Sequence, residues 1–315
     1  MKQKKTMILL AVVLITLVAV YIGLKCWNQH MEEKKEKQEE EQKLSIVDAE
    51  ELISISYTDG DSEMSFVKQD GTWYEESDRG IRISQDAADM LETAITDLTA
   101  SRELEEPDAL GDYGLENALY RIEYTDQEDT ESVISVGNAV NDDYYATIGD
   151  TGKVYTISSD FISQLSFDLA SFVENDTVTS IGSGNLKKVE VTENGKTTTF
   201  KEEDENGQLA GGWGTISLTS CADYNVKEEN LVNYGLDEEK RITAKATYKD
   251  SSTEEEKTFT VYIGSQDDSG SNRYVQVKDS NMVYIVGNSI IDNMITVSEE
   301  ESAKYKIEVM PGNAR

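Results

Sequence analysis

Three kinds of hydrophobic pattern follow one another along the chain. Residues 7–24 form an uncharged apolar run of 18 residues, which as a helix rising about 1.5 Å per residue spans about 27 Å, close to a bilayer's hydrocarbon core. Residues 32–43 (EEKKEKQEEEQK) carry no apolar stripe at all, so they form no coiled-coil seam and read as a solvated stalk. From about residue 49 the pattern becomes short alternating segments bounded by turn dipeptides, the signature of antiparallel strands. The turns are Asp59-Gly60, Asp70-Gly71, Asn194-Gly195 and Asn206-Gly207, which supply the positive φ that tight hairpins need. One long helical stripe interrupts the strands. Ala87, Met90, Leu91, Ala94, Ile95 and Leu98 recur at helical spacing within residues 84–104, with Ser84 as the N-cap and Asp86 in the first turn.

The strand-rich part repeats itself. Tyr113-Gly114-Leu115-Glu116 matches Tyr234-Gly235-Leu236-Asp237, each followed by an Arg-Ile pair, Arg121-Ile122 and Arg241-Ile242. Downstream, Val136-Gly137-Asn138 matches Ile263-Gly264-Ser265, Tyr144-Tyr145-Ala146 matches Arg273-Tyr274-Val275, and Val154-Tyr155 matches Val283-Tyr284. Each copy closes with an apolar pair four residues apart, Phe161 and Leu165 or Ile290 and Met294. Upstream, Ile53-Ser54-Ile55, Phe66 and Trp73 echo Val189-Glu190-Val191, Phe200 and Trp213, so each front half reads as a meander ending in a Trp-bearing strand. Between Trp213 and Tyr234 the second copy is about half as long as the first, and a helix there is short or absent. The expected fold class is α+β: an N-terminal transmembrane helix, then two tandem, mainly antiparallel β modules with one or two helices each. The expected boundaries are a cytoplasmic tail at 1–6, the span at 7–25, the stalk at 26–48, and modules at 49–176 and 177–315.

Charge sets the orientation. Lys2, Lys4 and Lys5 precede the apolar run, so the positive-inside rule holds the N-terminus in the cytoplasm and places the modules on the extracytoplasmic side as a single-pass signal-anchor protein. The run is longer than a signal-peptide core, and Tyr21, Ile22, Leu24 and Lys25 make a poor cleavage site. The formal net charge is −33, which excludes a nucleic-acid partner, since a phosphate backbone needs a basic surface. A solvated acidic surface accounts for it, with cation binding or a basic partner as the alternative.

Candidate chemistry is sparse. Cys26 and Cys221 are the only cysteines and His30 the only histidine; together they provide no disulfide framework, no zinc cluster and no histidine-based triad. No phosphate-cradling loop occurs, and no cofactor is expected. Asn141-Asp142-Asp143 and Asp267-Asp268-Ser269-Gly270 read as hairpin turns in preference to Ca²⁺ loops, since neither fits the EF-hand spacing. No carboxylate pair stands out as a glycosidase pair. The residues singled out are structural repeat positions: Trp73, Tyr113, Gly114, Leu115, Gly137, Tyr145 and Tyr155 in the first copy, and Trp213, Tyr234, Gly235, Leu236, Gly264, Tyr274 and Tyr284 in the second. Recurring aromatics on half-buried strands pack cores, the alternative being an aromatic face for a glycan or protein partner. Gly114 and Gly235 are expected at helix-to-strand turns with a left-handed backbone.

The anchor, the Trp-bearing meander, the Tyr-Gly-Leu element and the Gly, Tyr-Tyr and Val-Tyr strands together resemble the domain-of-unknown-function 4340 family of bacterial membrane-anchored envelope proteins. Members are often encoded beside subunits of gliding-motility-type ABC transporters. The resemblance therefore implies a non-enzymatic accessory or scaffold role in a membrane transport or envelope complex, with a protein partner in that complex. It supplies no catalytic residues. The alternative expectation is an envelope glycan- or cation-binding module.

Overall fold

The computed structural model describes residues 44–201 and 207–296, together with Lys25. Among the described residues no helix is long and apolar enough to cross a membrane. The expected tail at 1–6 and, apart from Lys25, the expected span at 7–25 lie outside the described residues. The described part is mainly antiparallel β with few helices, in two sheets.

The chain divides into two compact units. The first comprises Met1–Lys68 and Asp89–Phe167, the second Gln69–Ala88 and Asp168–Arg315. In chain order the first part holds β1 (Leu44–Ser45), β2 (Leu52–Thr58), β3 (Glu63–Gln69), β4 (Thr72–Glu75), helix α1 (Gln85–Thr96), β5 (Thr99–Glu103), β6 (Tyr120–Asp126), β7 (Glu131–Val140), β8 (Asp143–Ile148), β9 (Tyr155–Ser158) and helix α2 (Ser159–Gln164). The second part holds β10 (Leu186–Glu193), β11 (Lys196–Lys201), helix α3 (Gly207–Thr215), β12 (Cys221–Asp223), β13 (Ile242–Lys249), β14 (Glu256–Gln266), β15 (Asn272–Val277), β16 (Val283–Gly287) and helix α4 (Asn288–Ile295). Residues 44 and 45, assigned to the stalk on sequence, form β1 and pair with Ala100 and Thr99.

The strand orders are β1-β5-β9-β8-β7-β6-β2-β3-β4 and β11-β10-β13-β14-β15-β16-β12. Read from β5 to β3 in the first sheet and from β12 to β11 in the second, the same seven-strand topology appears twice. Register aligns the copies: Ala146 pairs with Tyr155 as Val275 pairs with Tyr284, and Ile55 pairs with Phe66 as Val189 pairs with Phe200. The Arg-Ile pairs are not equivalent. Val136 pairs with Tyr120, whereas Ile263, its counterpart, pairs with Ile242. Arg241-Ile242 therefore stands two residues out of step with Arg121-Ile122. A slip of two preserves which side chains face the core, so the apolar pattern alone does not reveal it.

Hairpin chemistry explains the turns. Asp70 and Gly71 have φ of 51° and 78°, and Asn194 and Gly195 have 50° and 74°, the paired left-handed conformation of a two-residue hairpin. Residues 141–142 and 267–271 connect strands, as the turn reading of those acidic segments expects. The Asp267 carboxylate accepts from Ser269 Oγ (2.8 Å) and from Asn272 Nδ2 (2.8 Å) and N (3.2 Å). Its oxygens are thus occupied by its own turn.

Each unit buries one sheet face. In the first, Ile55, Tyr57, Ile122, Ile134, Val136 and Ala146 line that face. The buried stripe of α1 differs from the expected one: Leu91, Glu92, Ile95 and then Leu98 are buried, and Met90 is 66% exposed. Glu92 replaces Met90 because its carboxylate has two jobs inside, accepting from Leu52 N at 2.8 Å and from Lys68 Nζ at 2.8 Å. The sheet is irregular there, between Leu52 and Ser54, and the carboxylate satisfies the N–H that the irregularity strands.

In the second unit Val189, Ala244, Val261, Ile263, Val275 and Tyr284 form the core face. Trp213 lies on α3 and not on a strand, which corrects the Trp73 equivalence; α3 ends two residues later at Thr215, so the stretch from Trp213 to Tyr234 carries little α-helix, as expected. The segment Gly207–Thr215 is rich in glycine and has low helix propensity, so packing decides. Leu209, Ala210 and Trp213 are buried together, Trp213 Nε1 donates to the Met294 carbonyl at 3.1 Å, and Gly212 sits so close to α4 that a Cβ would lie 2.5 Å from the Asn293 carbonyl carbon.

The early segment Gln69–Ala88 completes this unit. Ile83 bridges Val173, Ser84 N donates to the Phe172 carbonyl (2.7 Å), and Arg82 Nη2 lies 2.6 Å from Asp176 Oδ1. Asn225 Nδ2 donates to Asp78 Oδ1 (2.7 Å), and Asn281 Nδ2 to the Gly80 carbonyl (3.2 Å). Trp73 is almost wholly buried, and the Gln85 side chain exchanges hydrogen bonds with its backbone N–H (2.7 Å) and carbonyl (3.1 Å).

Candidate functional site

Ten of the fourteen sequence-selected residues converge on one device, built once in each unit on the sheet face opposite the core. A short 3₁₀ turn, Leu110–Tyr113 or Glu228–Tyr234, ends at a left-handed glycine, Gly114 (φ 72°) or Gly235 (φ 64°). The hydrogen bonds repeat as well: Leu115 N donates to the Leu110 carbonyl and Leu236 N to the Leu231 carbonyl, both at 3.0 Å. The following leucine turns inward and is buried, Leu115 at 7% exposure and Leu236 at 0%.

What lets this ledge sit flat on the sheet is a glycine in the longest strand of each unit. A Cβ on Gly137 would fall on the Tyr113 carbonyl oxygen, and one on Gly264 on the Tyr234 carbonyl oxygen. Both glycines lie at a register irregularity, between Val136 and Ala139 and between Ile263 and Gln266. The tyrosine of the ledge then packs on a tyrosine of the next strand. Tyr113 and Tyr145 have ring centroids 4.8 Å apart, Tyr234 and Tyr274 5.0 Å. Under the second ledge Val226, Leu236 and Val283 form a small apolar cluster flanked by Leu231 and Tyr262.

The hydroxyls differ. Tyr113 accepts from Asp108 N at 2.9 Å, whereas Tyr234 donates to Asp223 Oδ2 at 3.1 Å. Burial, then the bond to the Asp223 carboxylate, pushes the Tyr234 hydroxyl up to about 12. Tyr234 therefore stays neutral at physiological pH and acts as a fixed hydrogen-bond donor.

The remaining four residues lie elsewhere. Tyr155 and Tyr284 point to the core face, Trp73 is on β4 and Trp213 on α3. Tyr284 joins a polar node that the sequence analysis did not single out. Its hydroxyl donates to Asp176 Oδ2 (3.0 Å), which also accepts from Ser280 Oγ (2.5 Å), while Arg82 holds the other oxygen. Cys221 lies in the same unit, and burial raises its thiol to about 11, the opposite of an activated nucleophile. An acid-lined cleft of about 570 Å³ in the first unit is bordered by Asp48, Glu50, Glu51, Asp126 and Glu128. Among the described residues no group of histidine, cysteine, aspartate and glutamate side chains is arranged to hold a metal ion.

Residues 73–216 match the model of a family described as Domain of unknown function (DUF4340). That stretch, a little under half of the chain, is similar to the DUF4340 family. The match takes in the whole first ledge, from Tyr113 to Tyr145, and ends just after α3, so the second ledge and β12–β16 lie beyond it. No curated protein and no solved structure matches the chain.

Proposed function

We propose that the chain is a non-enzymatic scaffold, held in the membrane by residues 7–25, whose extracytoplasmic units serve as an accessory part of an ABC-exporter-type transport complex or another envelope complex. The observation that carries this reading is the duplication itself. One seven-strand sheet and one glycine-seated tyrosine ledge are built twice, with the same hydrogen bonds. Catalytic sites concentrate perturbed ionisable groups in one cleft. Here each perturbed group has a local structural cause: burial for Tyr57, Tyr124 and Cys221, and turn or ion-pair geometry for Asp59, Asp250 and Asp267. Duplicated surfaces on a rigid sheet suit binding. The test is crosslinking in native membranes followed by purification of the full chain. Enrichment of a polytopic transporter subunit supports the proposal, and repeated recovery without any such subunit overturns it. A glycan-binding role is the second reading, favoured by the open face of the second sheet.

A further inference from the structure

Opposite the core, beside the ledge, the second sheet presents a broad face floored by β11, β10, β13 and β14. Strand register sets its rows. Thr199, Glu190, Lys245 and Thr260 stand in line across four strands, and Thr197, Thr192 and Thr243 stand in the row beside them. The side chains of these rows are exposed or half-buried. Thr192 and Thr197 share a hydrogen bond at 2.8 Å. On β10, β11 and β13 the face bears no apolar side chain. At its edge toward the ledge the Arg241 guanidinium stacks 3.7 Å from the Tyr262 ring centroid.

Charge on this face runs against the chain as a whole. Lys188, Lys201, Lys245 and Lys249 stand against Glu190 and Glu256, and Lys249 also pairs with Glu254 of the adjoining turn. Glu190 is shared between Lys188 (3.2 Å) and Lys245 (3.4 Å). At the equivalent strands of the first unit, β3, β2, β6 and β7, Arg121 stands against Glu63, Glu123 and Glu131, among serines and threonines with Val67 and Val133. The hydroxyl-rich floor is thus common to both units, and its sign is inverted in the second, within a chain of net charge −33.

We propose that the open face of the second sheet binds an anionic polysaccharide, laid flat across β11, β10, β13 and β14. Strands about 4.8 Å apart make this floor about 15 Å wide, the scale of a few sugar units. Rows of hydroxyls match a polyhydroxylated chain, the lysines match its acidic groups, and Tyr262 with Arg241 offers a stacking edge. A protein partner normally needs apolar or aromatic anchors in a central pocket, and on this floor the aromatic Tyr262 stands at the edge, under Arg241. Local attraction prevails over the net charge only where the latter is screened. The Debye length is about 8 Å at 0.15 M salt and about 30 Å at 0.01 M. Retention is therefore greatest at intermediate ionic strength and weaker on either side.

The test applies the full chain, in mild detergent, to beads bearing polygalacturonate, neutral dextran or poly-L-glutamate, between about 0.01 and 1 M NaCl. Polygalacturonate retains the protein best, with a maximum near physiological salt. The double substitution Lys188→Glu with Lys245→Glu lowers that retention at least about tenfold, the effect of losing two charge-assisted contacts. Arg102→Glu with Lys153→Glu, an equal charge change on the first unit, leaves retention within about twofold. If the glutamate variant misfolds, Lys188→Gln with Lys245→Gln serves in its place, and the same loss is expected. Equal retention on dextran, stronger retention on poly-L-glutamate, no retention at all, or equal effects of the two double variants would each overturn the proposal. None of these outcomes bears on recovery of a transporter subunit, so the scaffold reading stands or falls separately.

Discussion

Gly264→Ala probes the ledge directly. A Cβ at this position would overlap the Tyr234 carbonyl oxygen and lie 3.1 Å from Leu236 Cγ and 3.2 Å from the Tyr234 carbonyl carbon. The obstructing atoms belong to backbone, so no rotamer change relieves the clash. The ledge must lift, which disturbs the buried Leu236, the Ser265 Oγ bond to the Tyr234 carbonyl (3.1 Å) and the Tyr234–Tyr274 contact. Over-packing of this kind costs about 1–3 kcal/mol. With a backbone obstacle and a buried leucine behind it, the upper half of that range applies, which for a unit of this size lowers Tm by roughly 4–12 °C. The control is Gly211→Ala. Gly211 is an exposed glycine in α3 where a Cβ would meet nothing within 4 Å. Alanine is favoured over glycine in a helix by about 0.5–1 kcal/mol, so that variant is neutral or slightly more stable. Thermal and urea unfolding of both variants decides the matter. If Gly264→Ala is as stable as the parent, the close approach of ledge and strand does not exist.

Arg82→Ala strips the guanidinium from Asp176 and should destabilise the second unit by about 1.5–3 kcal/mol, the worth of a charge-assisted hydrogen bond; an unchanged urea midpoint would show that Gln69–Ala88 is not part of that unit. For the same reason a fragment beginning at Asp168 should be poorly soluble, and adding residues 69–88 as a peptide should raise its melting temperature. Trp213→Ala should cost about 3–5 kcal/mol, whereas an exposed strand tryptophan would cost far less. Raising the Cys221 thiol from its ordinary 9.0 to about 11 cuts its thiolate on the order of 100-fold at neutral pH. In a Cys26→Ser chain, iodoacetamide should label it far more slowly folded than in denaturant, and equal rates would refute its burial. Asn272 and Ser269 hold the Asp267 carboxyl below its ordinary value, so its contribution is present above that ordinary value and is lost as pH falls through the folded one. The Tm gap between the parent and Asp267→Ala should narrow below about pH 4, and a gap constant to pH 2.5 would contradict this.

Local chemistry made much of the fold legible. The Asp70-Gly71 and Asn194-Gly195 turns and the left-handed Gly114 and Gly235 each depend on two or three adjacent residues, and their backbone angles follow from residue type. Positions set by distant packing were not legible. Trp213 lies in a helix because Gly212 lets α3 meet α4 closely and the Met294 carbonyl takes the indole N–H; neither fact is encoded within the segment. Met90 fits the helical stripe as well as any residue, yet Glu92 takes the buried place because a backbone N–H from β2 needs an acceptor. The Arg-Ile pairs misaligned because a two-residue slip leaves the alternation intact. The recruitment of Gln69–Ala88 by the second unit, through Asp176, Asn225 and Asn281, involves partners 94, 147 and 201 residues away, beyond any local pattern.

The candidate site divides along the same line. The ledge was visible as a motif because its parts repeat, and Gly137 and Gly264 could be matched before it was known that each faces a tyrosine carbonyl. The open face was hidden by averaging. Lys188, Glu190 and Thr192 alternate with Val189 and Val191, and Thr243, Lys245 and Thr247 alternate with Ala244 and Ala246. Read one face at a time, the second copy is the richer in lysine and the first the richer in glutamate, with Lys245 standing where the first has Glu123, but a whole-chain charge of −33 conceals that difference. Core positions and the ledge are constrained by packing, so they remain alike in both units. Open-face residues bear no such constraint, and there the two copies are free to diverge in what they bind. The difference of charge sign on an otherwise shared architecture is what the polysaccharide proposal rests on, and under that proposal the open face of the first unit does not bind the same ligand.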